Sequence, residues 1–236
     1  MQYKFKEINM YPDKKIARLA GILYLLLVIT GIFSLMYIPG KIMAYDDIGK
    51  TIKNILSNEF LFRTGIVANL ISNVIYVFLV LALNNLFKQV NEKIAFMMVT
   101  LVVISVAVAF LNLLNQIGAL LLLKDPFYAN VFETGQLHAL VKLFMDLYGQ
   151  GIVVNEIFWG LWLIPFGILV IRSGFIFKIP GYFLIAGGLG YMAGSLTSLL
   201  FPGYGQVVTQ YATIPADIGE FSMMFWLLIK GVKDQA

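Results

Sequence analysis

Several polar side chains lie within or beside long apolar runs: Arg63, Asn69 and Asn73, then Asn112, Asn115 and Gln116, then Asn155 and Glu156, and finally Asp217 and Glu220. Polar groups in hydrocarbon are costly, so such a cluster points to a site. The set suits a small polar ligand, a lipid headgroup or a proton-linked carboxylate, with Arg63 answering Glu156, Asp217 or Glu220. The competing reading is structural: the amides tie helices together, at on the order of 1 kcal/mol per bond, and the carboxylates sit at a wet boundary. His138 and Asp146 recur two turns apart with Glu156 beyond them, a spacing from which general acid or base chemistry can be built. No HExxH, Walker A, GxSxG or metal-ligand spacing accompanies them, so no catalytic residue is assigned. Cysteine is absent, which removes disulfides, thiolate nucleophiles and cysteine metal sites, and His138 is the only histidine. No cofactor or metal is expected.

The elements that must position these residues follow from composition. The chain is 60% hydrophobic and 13% charged over 236 residues, and its mean hydropathy is +0.84, outside the range of ordinary soluble domains. At about 20 residues per crossing, the whole chain 1–236 is used by one integral membrane domain. Six spans are expected, at about 16–38, 64–86, 94–123, 152–171, 179–200 and 214–229, in an all-α bundle of three helical hairpins. The first run follows Lys14, Lys15 and Arg18 but is too long for a secretory signal and lacks a small-residue cleavage site. Asn112, Asn115 and Gln116 share one face of the third span by their i, i+3, i+4 spacing.

Lysine and arginine divide unevenly between the two sides. One side holds Lys4, Lys6, Lys14, Lys15, Arg18, Lys88, Lys93, Arg172, Lys178, Lys230 and Lys233, against Lys41, Lys50, Lys53, Arg63, Lys124 and Lys142 on the other. The positive-inside rule makes the richer side cytoplasmic, with both termini inside and the chain in the inner (plasma) membrane. The basic pI, about 9.1, thus reads as membrane orientation and not as a nucleic-acid patch.

Two longer segments then lie outside, Pro39 to Arg63 and Lys124 to Tyr148. In the first, Asp46 and Asp47 can cap a helix with Ile48, Ile52, Ile55 and Leu56 on one face. In the second, Leu137, Leu140, Val141, Phe144 and Leu147 recur at helical spacing. Both read as extracytoplasmic interfacial helices, either a shield for loop backbone or a cover over a cavity. Phe201-Pro202-Gly203-Tyr204-Gly205 reads as a turn, and Pro165 is expected to kink the fourth span. Ala186, Gly190, Gly194 and Ser198 leave one face of the fifth span nearly bare, which marks a packing seam. A nucleotide cradle is excluded there because no Lys-Ser or Lys-Thr pair follows.

Lys15-Ile16-Ala17-Arg18-Leu19-Ala20-Gly21, Leu61-Phe62-Arg63, Asn112-Leu113-Leu114-Asn115, the run from Phe158 to Tyr191, Gly219-Glu220, and Trp226 to Gly231 together resemble the bacterial membrane proteins grouped as domain of unknown function 4386. The resemblance covers nearly the whole chain and implies a multi-helix integral membrane protein without an established activity. The pattern often has proline where Phe177 stands and histidine where Tyr148 stands, and these departures argue against carrying over histidine chemistry.

The functional expectation is a non-enzymatic role: binding or moving a small or lipid-like ligand through a polar cavity in the extracytoplasmic half. Membrane lipids and such a ligand are its expected partners; nucleic acid is not. A structural or accessory subunit is the alternative, and an intramembrane enzyme is the third reading.

Overall fold

The computed structural model describes residues 14–232, so Lys4, Lys6, Lys233 and both chain ends, which entered the orientation argument, lie outside the described residues. Helix accounts for nearly all of what is described, and no strand occurs among the described residues. α1 (Lys14–Ile32) passes through a π-helical turn at Phe33–Tyr37 into α2 (Ile38–Ile42). There follow α3 (Ile48–Ser57), α4 (Glu59–Phe87), α5 (Glu92–Lys124), α6 (Pro126–Val131) and α7 (Thr134–Ser173). The chain closes with α8 (Ile179–Leu200), α9 (Pro202–Ala212), α10 (Ile214–Phe225) and a second π-helical turn at Trp226–Lys230.

Among the described residues, six segments are long and apolar enough to cross a membrane: Lys14–Ile42, Glu59–Phe87, Glu92–Lys124, Thr134–Ser173, Ile179–Leu200 and Pro202–Lys230. Their outward faces are apolar as well. On α1, Leu19, Ile22, Leu26 and Ile29 form an exposed stripe, while Ala17, Ala20, Gly21 and Tyr24 turn inward. In water such a surface would drive association, whereas in a bilayer it faces solvent of its own kind. This is the makeup of a multi-pass membrane protein.

Local chemistry sets the helix ends. Asp47 accepts the Lys50 amide at 2.9 Å and starts α3, as expected. Of its apolar face, Ile52 and Ile55 are buried and Ile48 is partly buried, but Leu56 points outward. Asn91 caps α5 through the Ile94 amide at 3.0 Å. Glu133 and Gln136 form a capping box at the start of α7. Gly174, at φ 72°, ends α7 in the left-handed conformation that a side chain would disfavour.

Two expectations give way. The segment Leu137 to Leu147 is no separate interfacial helix, because α7 runs unbroken for 40 residues, about 60 Å at 1.5 Å per residue. Gly149 and Gly151 look like breakers in sequence; Gly149 has open space around it, whereas Gly151 faces α5, where Asn112 fills the space over it. Packing therefore overrides a weak propensity. Val141 and Met145 are buried on this extension and Leu147 is exposed. The helix also continues through Pro165, which is buried within it. The second correction concerns Pro202 to Gly205, which is the first turn of α9 and not a loop. The sixth crossing so begins well before Ile214, and proline is tolerated because its missing N–H falls in the first helical turn.

Bare backbone decides how the last crossings meet. α7 and α8 run antiparallel with glycine opposite glycine: a β-carbon on Gly188 would lie 2.6 Å from the Gly160 carbonyl oxygen, and one on Gly181 2.8 Å from that of Gly167. The predicted seam faces the other way. Gly190 lies against Ala212 and Gly194 against Thr209, so it seats α9 on α8. Ala186 of the predicted set is exposed.

Candidate functional site

Two apolar clusters fill the bundle, and the site lies between them. One contains Ile38, Ile55, Phe62, Leu113 and Val141; the other contains Leu79, Leu83, Met98, Phe166, Met223 and Leu227. Along α4 the order is Phe62 and Ile66, then Asn69, Ser72 and Asn73, then Tyr76 and Leu79. A cavity of about 600 Å³ occupies this polar layer. Its lining comes from the first crossing, α4, α5, α7, α8 and α10.

The amides around it are mostly spoken for. Ser105 Oγ donates to Asn155 Oδ1 at 2.9 Å, joining α5 to α7, with both side chains buried. Asn112 Nδ2 donates to the Tyr148 carbonyl at 2.9 Å and Asn115 Nδ2 to Asn112 Oδ1 at 3.0 Å. Asn69 Nδ2 reaches the Tyr148 hydroxyl at 3.4 Å, and Asn73 Nδ2 donates to Asn69 Oδ1 at 2.8 Å. On α10, Asp217 and Glu220 stand one turn apart and both line the cavity. Tyr24 Oη donates to Glu220 Oε1 at 2.8 Å and closes one end of the cavity. Among the described residues, no lysine or arginine pairs with either carboxylate or lines the space.

The opposite flank is open. Ile32 and Met36 of the first crossing and Asp217 and Phe221 of α10 line the cavity and are also exposed at the bundle surface. The mouth therefore lies between these two crossings, beside the π-helical turn that supplies Ser34, Leu35 and Met36. Such turns interrupt regular packing and recur at functional sites.

The profile of the family described as "Domain of unknown function (DUF4386)" matches residues 19–231. The chain belongs to this family. An "Uncharacterized protein" from Archaeoglobus fulgidus is 29% identical over 160 residues, covering 65% of this chain and 92% of that protein. No solved structure matches. Three segments that carried the DUF4386 resemblance reach the cavity: Asn112 begins one, Glu220 ends another, and the run from Phe158 to Tyr191 supplies Trp159, Trp162 and Tyr191.

In this DUF4386 chain, Asn69, Asn73, Asn112, Asn155, Asp217 and Glu220 line one cavity. Asn115 and Gln116 do not line it; Asn115 braces Asn112, and Gln116 is buried elsewhere on α5. Arg63 is not the counter-ion of Glu156, Asp217 or Glu220. Its Nε pairs with Glu59 at 2.8 Å, and Lys124 pairs with the same carboxylate at 2.8 Å, tying α4 to α5 at the bundle end. Glu156 does not line the cavity either, and its Oε2 is buried without a hydrogen-bond partner among the described residues. His138 and Asp146 form no constellation with Glu156: Asp146 pairs with Lys142 at 2.5 Å, and helical rise puts His138 about 27 Å from Glu156.

Sequence reasoning missed the aromatic half of the site. Tyr24, Tyr76, Trp159, Trp162 and Tyr191 all line the cavity. A signal was present, since tyrosine and tryptophan favour membrane interfaces and these lie well inside their spans. Edge-to-face contacts fix their rings, Tyr76 on Trp162 at 5.3 Å and Trp159 on Tyr191 at 6.0 Å between centroids.

Proposed function

We propose that this protein binds, and through binding moves, a small or lipid-like ligand held in the polar layer of the bundle, in the extracytoplasmic half of the inner (plasma) membrane, with both termini cytoplasmic. One observation carries the reading: a cavity of about 600 Å³ that opens on the flank of the bundle and contains two carboxylates without a basic partner among the described residues. A volume of this size falls within the range of small-molecule sites. Membrane lipids surround the chain and reach the same opening. The accessory-subunit reading draws support from the Ser105–Asn155 and Asn112–Tyr148 bonds, which need no ligand to account for them.

Thermal unfolding of purified protein against a lipid and metabolite panel separates the two. A ligand at a hundred times its dissociation constant stabilises the native state by about 2.7 kcal/mol. We expect at least one compound to raise the midpoint of the wild type and to lose that effect in Glu220→Gln, whose unliganded midpoint stays close to wild type. No stabilising compound, together with a large loss of stability in Glu220→Gln, assigns the layer to helix packing.

A further inference from the structure

We infer that the cavity is built for an organic cation, an amine or quaternary ammonium carried on an apolar body; this rests on the ligand-binding reading above and names the ligand class. Three features of the lining converge on that chemistry. The first is charge. Asp217 and Glu220 face the cavity from successive turns of α10, and among the described residues no basic side chain lines it. An anion entering there would meet two carboxylates and no counter-charge, whereas a cation supplies the charge that carboxylates within an apolar bundle require.

The second feature is the aromatic wall. Tyr24, Tyr76, Trp159, Trp162 and Tyr191 surround the same space, with Tyr24 bonded to Glu220 through its hydroxyl. Aromatic faces attract cations, and an alkylated ammonium is held well because its charge is diffuse and weakly hydrated. The T-shaped pairs Tyr76–Trp162 and Trp159–Tyr191 hold these rings in place before any ligand arrives, which lowers the ordering cost of binding. A metal ion would instead need a group of three or more acidic or histidine ligands, and none occurs among the described residues.

The third feature is the opening. Ile32, Met36 and Phe221 line the cavity and are exposed on the apolar flank between the first crossing and α10. An alkyl chain can lie along that flank in the bilayer while its ammonium reaches the carboxylates. The lining offers a phosphate no basic partner among the described residues, so a plain alkylammonium fits better than a phosphocholine headgroup.

The test uses the full chain purified in an uncharged detergent. Two of its three tryptophans, Trp159 and Trp162, line the cavity and report occupancy by fluorescence. Four probes of equal tail length are titrated: decyltrimethylammonium, decanol, decyl sulfate and decylphosphocholine. We expect saturable binding of decyltrimethylammonium at concentrations about tenfold or more below decanol and decyl sulfate, the scale of a desolvated cation–π and charge contact. Glu220→Gln and Asp217→Asn should each weaken it by a similar factor, with Lys142→Ala as an unaffected control. Asp217→Asn carries the test should Glu220→Gln fail to fold. Decylphosphocholine binding as tightly as decyltrimethylammonium also supports cation recognition and assigns the source to a lipid headgroup. Decanol or decyl sulfate binding equally well overturns the cation inference and leaves a ligand cavity standing, as does equal ammonium affinity in wild type and both carboxylate variants. No saturable response to any probe, with no hit in the lipid and metabolite panel, overturns the ligand reading as well.

Discussion

Asn155 accepts the Ser105 hydroxyl between two long helices, with both side chains buried. Interhelical bonds of this kind contribute less than their burial suggests, because the unfolded chain in a membrane also finds partners. Ser105→Ala and Asn155→Ala should each cost about 1 kcal/mol, with a coupling of roughly 0.6 kcal/mol in the double-mutant cycle. Denaturant unfolding in mixed micelles measures it, and zero coupling would mean that the bond carries no stability. The amides were legible in the sequence because their depth and spacing follow from helix geometry. The partner of Arg63 was not. Depth alone suggested a cavity carboxylate, yet Glu59, one turn earlier on the same helix, was in i, i+4 reach and took the guanidinium at the bundle end.

Among the elements, α7 and α8 show how close approach is written in glycine. Their facing pairs, Gly160 with Gly188 and Gly167 with Gly181, repeat at a spacing of seven residues in opposite directions. Gly188→Val should lower stability by about 2 kcal/mol or more, since its added carbons meet backbone that cannot yield. Gly203→Ala, with open space around it, should leave the thermal midpoint nearly unchanged. If the two variants unfold alike, glycine contact does not set the α7–α8 spacing. The seam at Gly190 and Gly194 was readable from its four-residue period. The pair facing α7 escaped notice because Gly181 and Gly188 have meaning only opposite Gly160 and Gly167. The continuity of α7 escaped for a related reason: Gly151 looks like a break until Asn112 of α5 is laid over it.

For the whole molecule, orientation is the sharpest untried expectation, and a chain without cysteine lends itself to labelling. Single variants Tyr45→Cys and Phe177→Cys replace residues that are 80% and 54% exposed at opposite ends of the bundle. An impermeant maleimide should label the first in intact cells and the second only after permeabilisation; the reverse pattern inverts the topology drawn from the lysines and arginines. The sequence by itself determined the number of crossings, because that follows from local hydropathy and a fixed rise per residue; where the fourth and sixth helices start, and so how far along them Asn155, Asp217 and Glu220 stand, it did not. Tertiary structure alone decided which polar groups share a cavity, since that depends on how each helix is rotated about its axis. Tyr24 and Glu220, 196 residues apart, close one end of the site, and the packing that brings them together includes the Gly21 backbone resting on that of Leu228. Rotation is set by such close contacts between distant segments, and no local pattern in a single helix specifies it.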